Sequence, residues 1–260
     1  YGYRSGLNTS MISHLERKVK YLISIVGEDN CECVLDIGSN DGTLLSFYPK
    51  NVKRIGMDPT IKKFKDYYSK DIKAIPEFFD ANTFLKNSNN KKADIITSIA
   101  MFYDLKDPNY FVANIAECLS LDGIWNLEQS YMPSMLSQNA YDTVCQEHIE
   151  YYSLKVIKDL LEANNLKVID VAFNNINGGS FSVIAGHKNS KHIPNNAVIN
   201  WILSKEYKLN LHTPTPYREF EHKAYQHKND LMELIHNLNS NGKRIAGYGA
   251  STKGNVILQF

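Results

Sequence analysis

From Cys33 onward the chain alternates short apolar, β-branched runs with amphipathic runs of helical character. CVLDI, VKRIGM, DIKAI, ADIITSIA and GIWNLEQS read as strands, while TLLSFY, FKDYY, NYFVANIAECLSL and SLKVIKDLLEANN read as the segments between and after them. This rhythm predicts βαβ units, hence a parallel sheet. The dipeptide Asp122-Gly123 is expected to be the turn leading into the fifth strand. The rhythm then changes, because LKVIDVAF and GSFSVIAGH are separated only by the Asn-rich NNINGG, which reads as a hairpin loop.

Beyond His187 the composition shifts to Asn, Lys and His, punctuated by Pro194, Pro214 and Pro216. Helical runs are expected from Ala197, and from Tyr217 to about Asn239. The domain boundary is placed near Ser190, giving one α/β domain over residues 1–190 and a helical linker over 191–260. That linker ends in RIAGYGASTKG, which reads as a strand, a glycine-rich turn and a helix start, the opening of a second α/β domain. Without an initial methionine, and stopping inside the apolar run VILQF, the chain is expected to be a piece of a longer protein.

Composition narrows the partners. A formal net charge of +1 over 260 residues offers no basic field for nucleic acid or anionic lipid. No window reaches the roughly 18 apolar residues of a membrane span and YGYRSGLNTS has no apolar signal core, so a cytoplasmic location is expected. Cys31, Cys33, Cys118 and Cys145 are too few for a disulfide framework, and Cys31-x-Cys33 has no second pair with which to complete a zinc site, so no metal is expected.

Several stretches carry candidate chemistry. VLDIGSNDGTLL places an apolar strand before a tight turn and a helix. Gly38 and Gly42 allow positive φ and close approach of a ligand, but Asn40 holds the middle position of a would-be GxGxxG. The pattern DxGxxxG, led by Asp36, instead suits the methionine end of S-adenosylmethionine, which has no pyrophosphate to cradle; a purely structural βα turn is the alternative. Asp58, ending the next strand, is placed to accept hydrogen bonds from both ribose hydroxyls. Phe78, Phe79 and Asp80 offer an adenine platform, or core aromatics. Met101, Phe102 and Tyr103 follow the fourth strand at the topological switch point, as a floor under the sulfonium or as plain core. In CQEHIEYYSL, His148 has the right basicity to take a proton at neutral pH and Glu147 to stabilise the resulting imidazolium; a salt bridge capping the following helix, with Ser153 as N-cap, is the alternative. GYGASTKG, with Gly249 and Lys253, has the spacing to wrap a phosphate but lacks the ending of a P-loop.

A sheet that ends in an antiparallel hairpin is the layout of class I methyltransferases, whereas dehydrogenase sheets usually stay parallel to the edge. DIGSNDGTLL, the EH pair of CQEHIEYYS, NGGSF and GYGASTKGN, in that order, resemble the sugar C-methyltransferases, which act on nucleotide-linked keto-deoxysugars. The resemblance runs over nearly the whole chain. It implies S-adenosylmethionine as cofactor, a small-molecule sugar-nucleotide substrate, His148 as the base at the carbon beside the ketone, and positioning roles for Glu147, Tyr151 and Tyr3. It places Asn177 and Ser180 of NGGSF, with Gly249 and Lys253, on the substrate side. It also implies an N-terminal zinc module that this chain lacks and a C-terminal Rossmann-like domain that it only begins. Cys145 departs from the pattern, since the family has a tyrosine there; a thiol is a poor hydrogen-bond donor, and this brings O- or N-methylation in as the alternative. An NAD-dependent sugar-nucleotide oxidoreductase and a non-catalytic nucleotide-binding module are the rivals of another class. The sequence leaves the oligomeric state open.

Overall fold

A computed structural model describes residues 3–247 and 252–260. Seven strands form one sheet: β1 (Cys33–Ile37), β2 (Lys53–Met57), β3 (Ile72–Ile75), β4 (Ala93–Ile99), β5 (Leu119–Ser130), β6 (Leu166–Asn174) and β7 (Ser180–His187). Their order is β3-β2-β1-β4-β5-β7-β6. The first five run parallel, and β7 inserts antiparallel between β5 and β6. The doubly wound sheet with a final antiparallel hairpin is thus the one the sequence pattern implies.

All five residues of β1 are buried, as expected of a central parallel strand covered on both faces. One cover is α1 (Thr9–Val26), whose start Asn8 caps by accepting from the Ser10 and Met11 amides. Its Leu15, Val19, Leu22 and Val26 follow the helical period and join Val34, Ile95, Ile124 and Ile184 in one core cluster. This helix escaped the sequence reading, which began at Cys33. The opposite face is covered by α4 (Ala81–Ser88), α5 (Pro108–Cys118) and α7 (Leu154–Ala163), whose Phe84, Val112, Ile115, Ile157 and Leu161 share the main core with Leu35, Ile96, Trp125 and Val183. Between these lie three single-turn or short helices, α2 (Thr43–Ser46), α3 (Ile61–Phe64) and α6 (Met132–Gln138); TLLSFY thus gives one α-helical turn, and FKDYY the end of α3 followed by a 3-10 turn over Lys65–Tyr67.

Two expectations need correction. The turn at Asp122-Gly123 is an irregularity inside β5: Leu119 already pairs with Ala93, and the register then shifts so that Ile124 meets Ile95. Leu119 is fully buried, so the strand starts four residues early, and the intervening residues bulge out of register. The strand expected at the start of RIAGYGASTKG does not form, because residues 243–247 are irregular and exposed and no described strand pairs with them. The glycine-rich turn that follows, including Gly249, lies outside the described residues. The helix after it is α10 (Thr252–Gln259).

Past Ser190, α8 (Asn196–Lys208) sets Ile199 and Ile202 into the main core. Its buried Glu206 accepts hydrogen bonds from the Leu154 and Lys155 amides at 2.6 and 2.9 Å and from the Tyr131 hydroxyl at 2.8 Å. The carboxylate therefore caps α7 from a neighbouring helix, where orphan N–H groups and the helix dipole favour negative charge. The next helix, α9 (Thr215–Ser240), buries only Ala224. Among the described residues no helix is long and apolar enough to cross a membrane, and no group of side chains is arranged to hold a metal ion.

The strongest polar feature of the core is Glu128 on β5, which is 1% exposed. It takes Lys18 Nζ at 2.7 Å, His14 Nε2 at 2.7 Å and Asn174 Nδ2 at 3.0 Å. Burial pushes this carboxyl upward, but the His14 hydrogen bond and the Lys18 charge outweigh burial and hold it below its ordinary value of 4.5. Replacing Glu128 by Gln leaves Lys18 buried without a counter-charge and should cost about 3 kcal/mol or more in urea unfolding at pH 7. A carboxyl held low contributes its full stability above pH 4.5 and loses it as pH falls through the depressed value, so the gap between wild type and Glu128→Gln should narrow in acid. Equal urea midpoints at pH 7 would refute the role given to this carboxylate.

Candidate active site

Strand order reverses between β1 and β4, which opens a crevice at the carboxyl ends of the two strands. Within five residues of loop, Gly38, Asn40 and Gly42 take positive φ of 73, 51 and 76°. A Cβ on Gly38 would lie 3.3 Å from Met101 Cγ, and one on Gly42 only 2.9 Å from the Tyr68 ring, so the glycines satisfy both backbone conformation and close packing. Asp58 fixes this loop from the end of β2: Oδ2 accepts the Asn40 amide at 2.8 Å while Oδ1 accepts the Thr60 amide at 2.7 Å.

The N-terminal segment is strapped onto the same loop. Asn40 Nδ2 donates to the Tyr3 carbonyl at 3.1 Å, and its Oδ1 accepts the Ser5 amide at 3.1 Å. Asp41 Oδ2 accepts the Gly6 amide at 3.0 Å and Arg4 Nε at 3.2 Å. Asp36 lies beneath, accepting the Thr97 hydroxyl at 2.5 Å; burial, with a further push from the Asp58 charge, raises its carboxyl to about 7 despite that hydroxyl. Near neutral pH Asp36 is therefore poised between acid and carboxylate. Phe102 is 1% exposed and packs with Phe111, Trp125 and Tyr152 as part of the core. Phe79 packs edge-on against Phe111, and Asp80 caps α4 by accepting the Thr83 amide at 2.9 Å.

The loop around the EH pair forms a second cluster. A 3-10 turn, Tyr141–Thr143, ends in the Thr143 carbonyl, which is 2.9 Å from His148 Nδ1 and 3.3 Å from the Tyr151 hydroxyl. A carbonyl can only accept, so the ring proton sits on Nδ1 and Nε2 keeps its lone pair. The His148 ring lies 4.3 Å from that of Tyr103, whose carbonyl accepts the Ile149 and Glu150 amides at 3.0 and 3.1 Å. A narrow cavity here is lined by Tyr103, Ser130, Met132, Met135, Thr143, His148, Glu150, Tyr151 and Tyr152.

Charges around His148 act in both directions. Burial lowers its pKa below 6.5, the Thr143 carbonyl and the Glu147 charge oppose that, and the Lys253 ammonium adds to it. Glu147 is exposed and acts on His148 through its field, with no hydrogen bond or ion pair joining the two. Cys145 is half-buried, and its amide donates to the Thr143 carbonyl at 3.1 Å. Burial pushes the Tyr151 phenol up to about 12. A Cβ on Gly178 would lie 3.8 Å from Lys253 Nζ, an ordinary contact distance, so Lys253 lies near the NGG turn, and its charge is also felt at His148. Asn177 belongs to that turn, Ile176–Gly178, which buried Ser180 closes by donating to the Ile176 carbonyl at 2.8 Å.

The candidates thus fall into two clusters, one around Gly38, Asn40, Gly42, Asp58 and Tyr3, the other around His148, Tyr151 and Lys253. Residues 98–104 join them, with Met101 facing Gly38 and the Tyr103 ring tilted against that of His148. Tyr3 makes its contacts at the first cluster. Asp104, one residue beyond Tyr103, was not singled out by the sequence. Burial and then the Glu147 charge raise its carboxyl to about 7. Its Oδ1 is buried without a hydrogen-bond partner among the described residues, and only adjacency to Tyr103 could have signalled it.

The crevice can be compared with known proteins. Residues 9–171 match the methyltransferase domain family, and residues 175–260 match the C-methyltransferase C-terminal domain. The C-methyltransferase NovU of Streptomyces niveus is 27% identical over 260 residues, covering 99% of this chain; the chain spans 62% of that relative's length. Among solved structures, a SAM-dependent methyltransferase from Archaeoglobus fulgidus is 15% identical with a TM-score of 0.52, covering 67% of this chain and 93% of the other. The plantazolicin methyltransferase BpumL, crystallised with a pentazolic desmethylPZN analogue and SAH, is 13% identical with a TM-score of 0.50, covering 69% and 85%. At those identities the two structures share the fold. With the methyltransferase domain matching over residues 9–171, more than half of its length, the chain belongs to the methyltransferase domain family, and its remaining part is similar to the C-terminal domain of C-methyltransferases.

Proposed function

We propose that this chain methylates a nucleotide-linked keto-deoxysugar at the carbon beside its ketone, with His148 as the base. The observation that carries the reading is the Thr143 carbonyl on His148 Nδ1, which leaves Nε2 as an acceptor beside the switch-point segment. The similarity to a C-methyltransferase supports the reaction class.

The residues present suit S-adenosylmethionine. The loop of Gly38, Asn40 and Gly42 takes the left-handed conformation that lets its backbone turn sharply at the crevice, and Asp58 has lone pairs left for ribose hydroxyls after accepting two amides. Asp36 and Met101 would complete the methionine end, with Phe79, Asp80 and the core aromatic Phe102 toward the base. When bound, the cofactor supplies an electrophilic methyl group. The chain's own task is to align the acceptor, remove its proton to His148 Nε2 and exclude water. Glu147 stabilises the imidazolium through its field, Lys253 and the turn of Asn177 and Ser180 face the anionic end of the substrate, and Gly249 is assigned to that same side. Tyr151 and Cys145 flank the acceptor in this reading, and Tyr3, held at the Asn40 loop, approaches it from the donor side.

Removing the Asp58 carboxylate should weaken S-adenosylmethionine binding by about 1–3 kcal/mol in calorimetry on Asp58→Ala, through lost charge-assisted hydrogen bonds. Unchanged affinity, or tighter binding of NAD by the wild type, would overturn the cofactor assignment.

Replacing His148 by Asn keeps approximate shape but removes the basic nitrogen, so turnover on a panel of such sugars should drop by about 100-fold to 10,000-fold with cofactor affinity intact. Because burial holds this imidazole below 6.5, the acid limb of the kcat/KM profile should break below that value. A carbon-methylating enzyme should also exchange deuterium into the acceptor's α-carbon without cofactor. Full activity in His148→Asn rules out the base role, whereas turnover without exchange in the wild type favours methylation of oxygen or nitrogen, which the thiol of Cys145 makes the second reading.

A further inference from the structure

The Thr143 carbonyl can orient His148 only if the turn that carries it is itself held. That turn is gripped from outside the sheet. Tyr141 is 8% exposed although it starts a surface turn, and its hydroxyl shares a 2.9 Å hydrogen bond with His227 Nδ1 on α9. The two rings also meet edge to face at 5.6 Å. Phe260, just past α10, covers the other side of Tyr141 at 5.3 Å between centroids. One turn earlier on α9, the Lys223 carbonyl accepts Asn139 Nδ2 at 3.2 Å.

Residues 223, 224 and 227 lie on one side of α9, and Ala224 between them is the helix's single buried residue. The contact with this turn is thus where α9 is fastened, and the rest of the helix is largely open. Inside the turn the Val144 amide donates to the Tyr141 carbonyl at 2.9 Å, and the Thr143 hydroxyl donates to the Ala140 carbonyl at 2.8 Å. The direction of the Thr143 carbonyl is therefore fixed by a unit whose one large side chain is Tyr141.

We propose that His227 is a positioning residue for His148, acting through Tyr141 and the Thr143 carbonyl to keep the proton on Nδ1 and Nε2 open toward the cavity. This rests on reading His148 as the base. Releasing Tyr141 lets the turn rotate, and a free imidazole has no reason to keep its proton on Nδ1. The ring also loses part of the burial that holds its pKa down. The Tyr103 ring against His148, the charges of Glu147 and Lys253, and Glu150 and Tyr151, which line the same cavity, all keep their identity in substitutions at positions 141 and 227.

Long-range proton–nitrogen spectra of histidine-labelled protein read tautomer and titration without any substrate, with His148 assigned by loss of its signals in His148→Asn. In the wild type His148 should show protonated Nδ1, bare Nε2 and a midpoint below 6.5. In His227→Ala and Tyr141→Phe the Nε2–H form should appear and the midpoint should move up toward 6.5, while His227→Asn, which keeps a polar atom near the place of Nδ1, should restore the wild-type pattern. His148 spectra unchanged in His227→Ala would overturn the proposal, as would a wild-type ring protonated on Nε2. Because α9 is mostly exposed, His227→Ala remains informative should Tyr141→Phe fail to fold. If the spectra behave as expected but His148→Asn keeps full turnover, the positioning stands and the base role fails.

Discussion

A backbone that takes the left-handed region three times in five residues is anchored by one carboxylate, beside the Tyr68 hydroxyl that donates to the Asn40 carbonyl. Asp58 accepts the Asn40 amide from the end of the neighbouring strand, and this fixes the loop at the one place in the sheet where strand order reverses. Much of the crevice follows from that. Gly38 comes under Met101, Asn40 and Asp41 reach back to bind the N-terminal strap, and the segment carrying Met101 continues to Tyr103 and so to the His148 loop. One acceptor at a strand end thereby sets the first cluster and, through residues 98–104, its spacing from the His148 cluster.

Two buried carboxyls and a half-buried one behave differently, and their neighbours explain why. Glu128 is held low because a lysine and a histidine meet it directly. Asp36 is raised to about 7 because it has only the Thr97 hydroxyl and the unfavourable charge of Asp58. Asp104 is raised to about 7 by burial and by Glu147, with one oxygen unpartnered. The satisfied carboxylate lies in the core, and the two poised ones lie along the crevice, where perturbed groups commonly mark function.

The strands were legible because a strand covered on both faces must be largely apolar: CVLDI is so at all but Asp36, and ADIITSIA centres on Ile95 and Ile96. The hairpin was legible because only a short Asn-rich link separates its strands. Irregularity inside an element was not: the shift in β5 depends on Leu119 finding Ala93, a pairing no local pattern contains. A strand at residues 243–247 fails for the opposite reason, since its local pattern is suitable but no described strand pairs with it. The site was half legible. The glycine loop, Asp58 and His148 stood out by residue type, whereas Glu147 proves to act through space, and Tyr141, His227 and Asp104 gain their roles only from contacts across the fold.

Amide hydrogen exchange with and without S-adenosylhomocysteine tests the division of this crevice most directly. Slower exchange is expected over residues 37–42, 57–60 and 98–103, with little change along α9 over 215–240. Unchanged exchange across residues 37–42, or protection there by NAD and not by S-adenosylhomocysteine, would contradict the assignment of the β1 loop to the methyl donor.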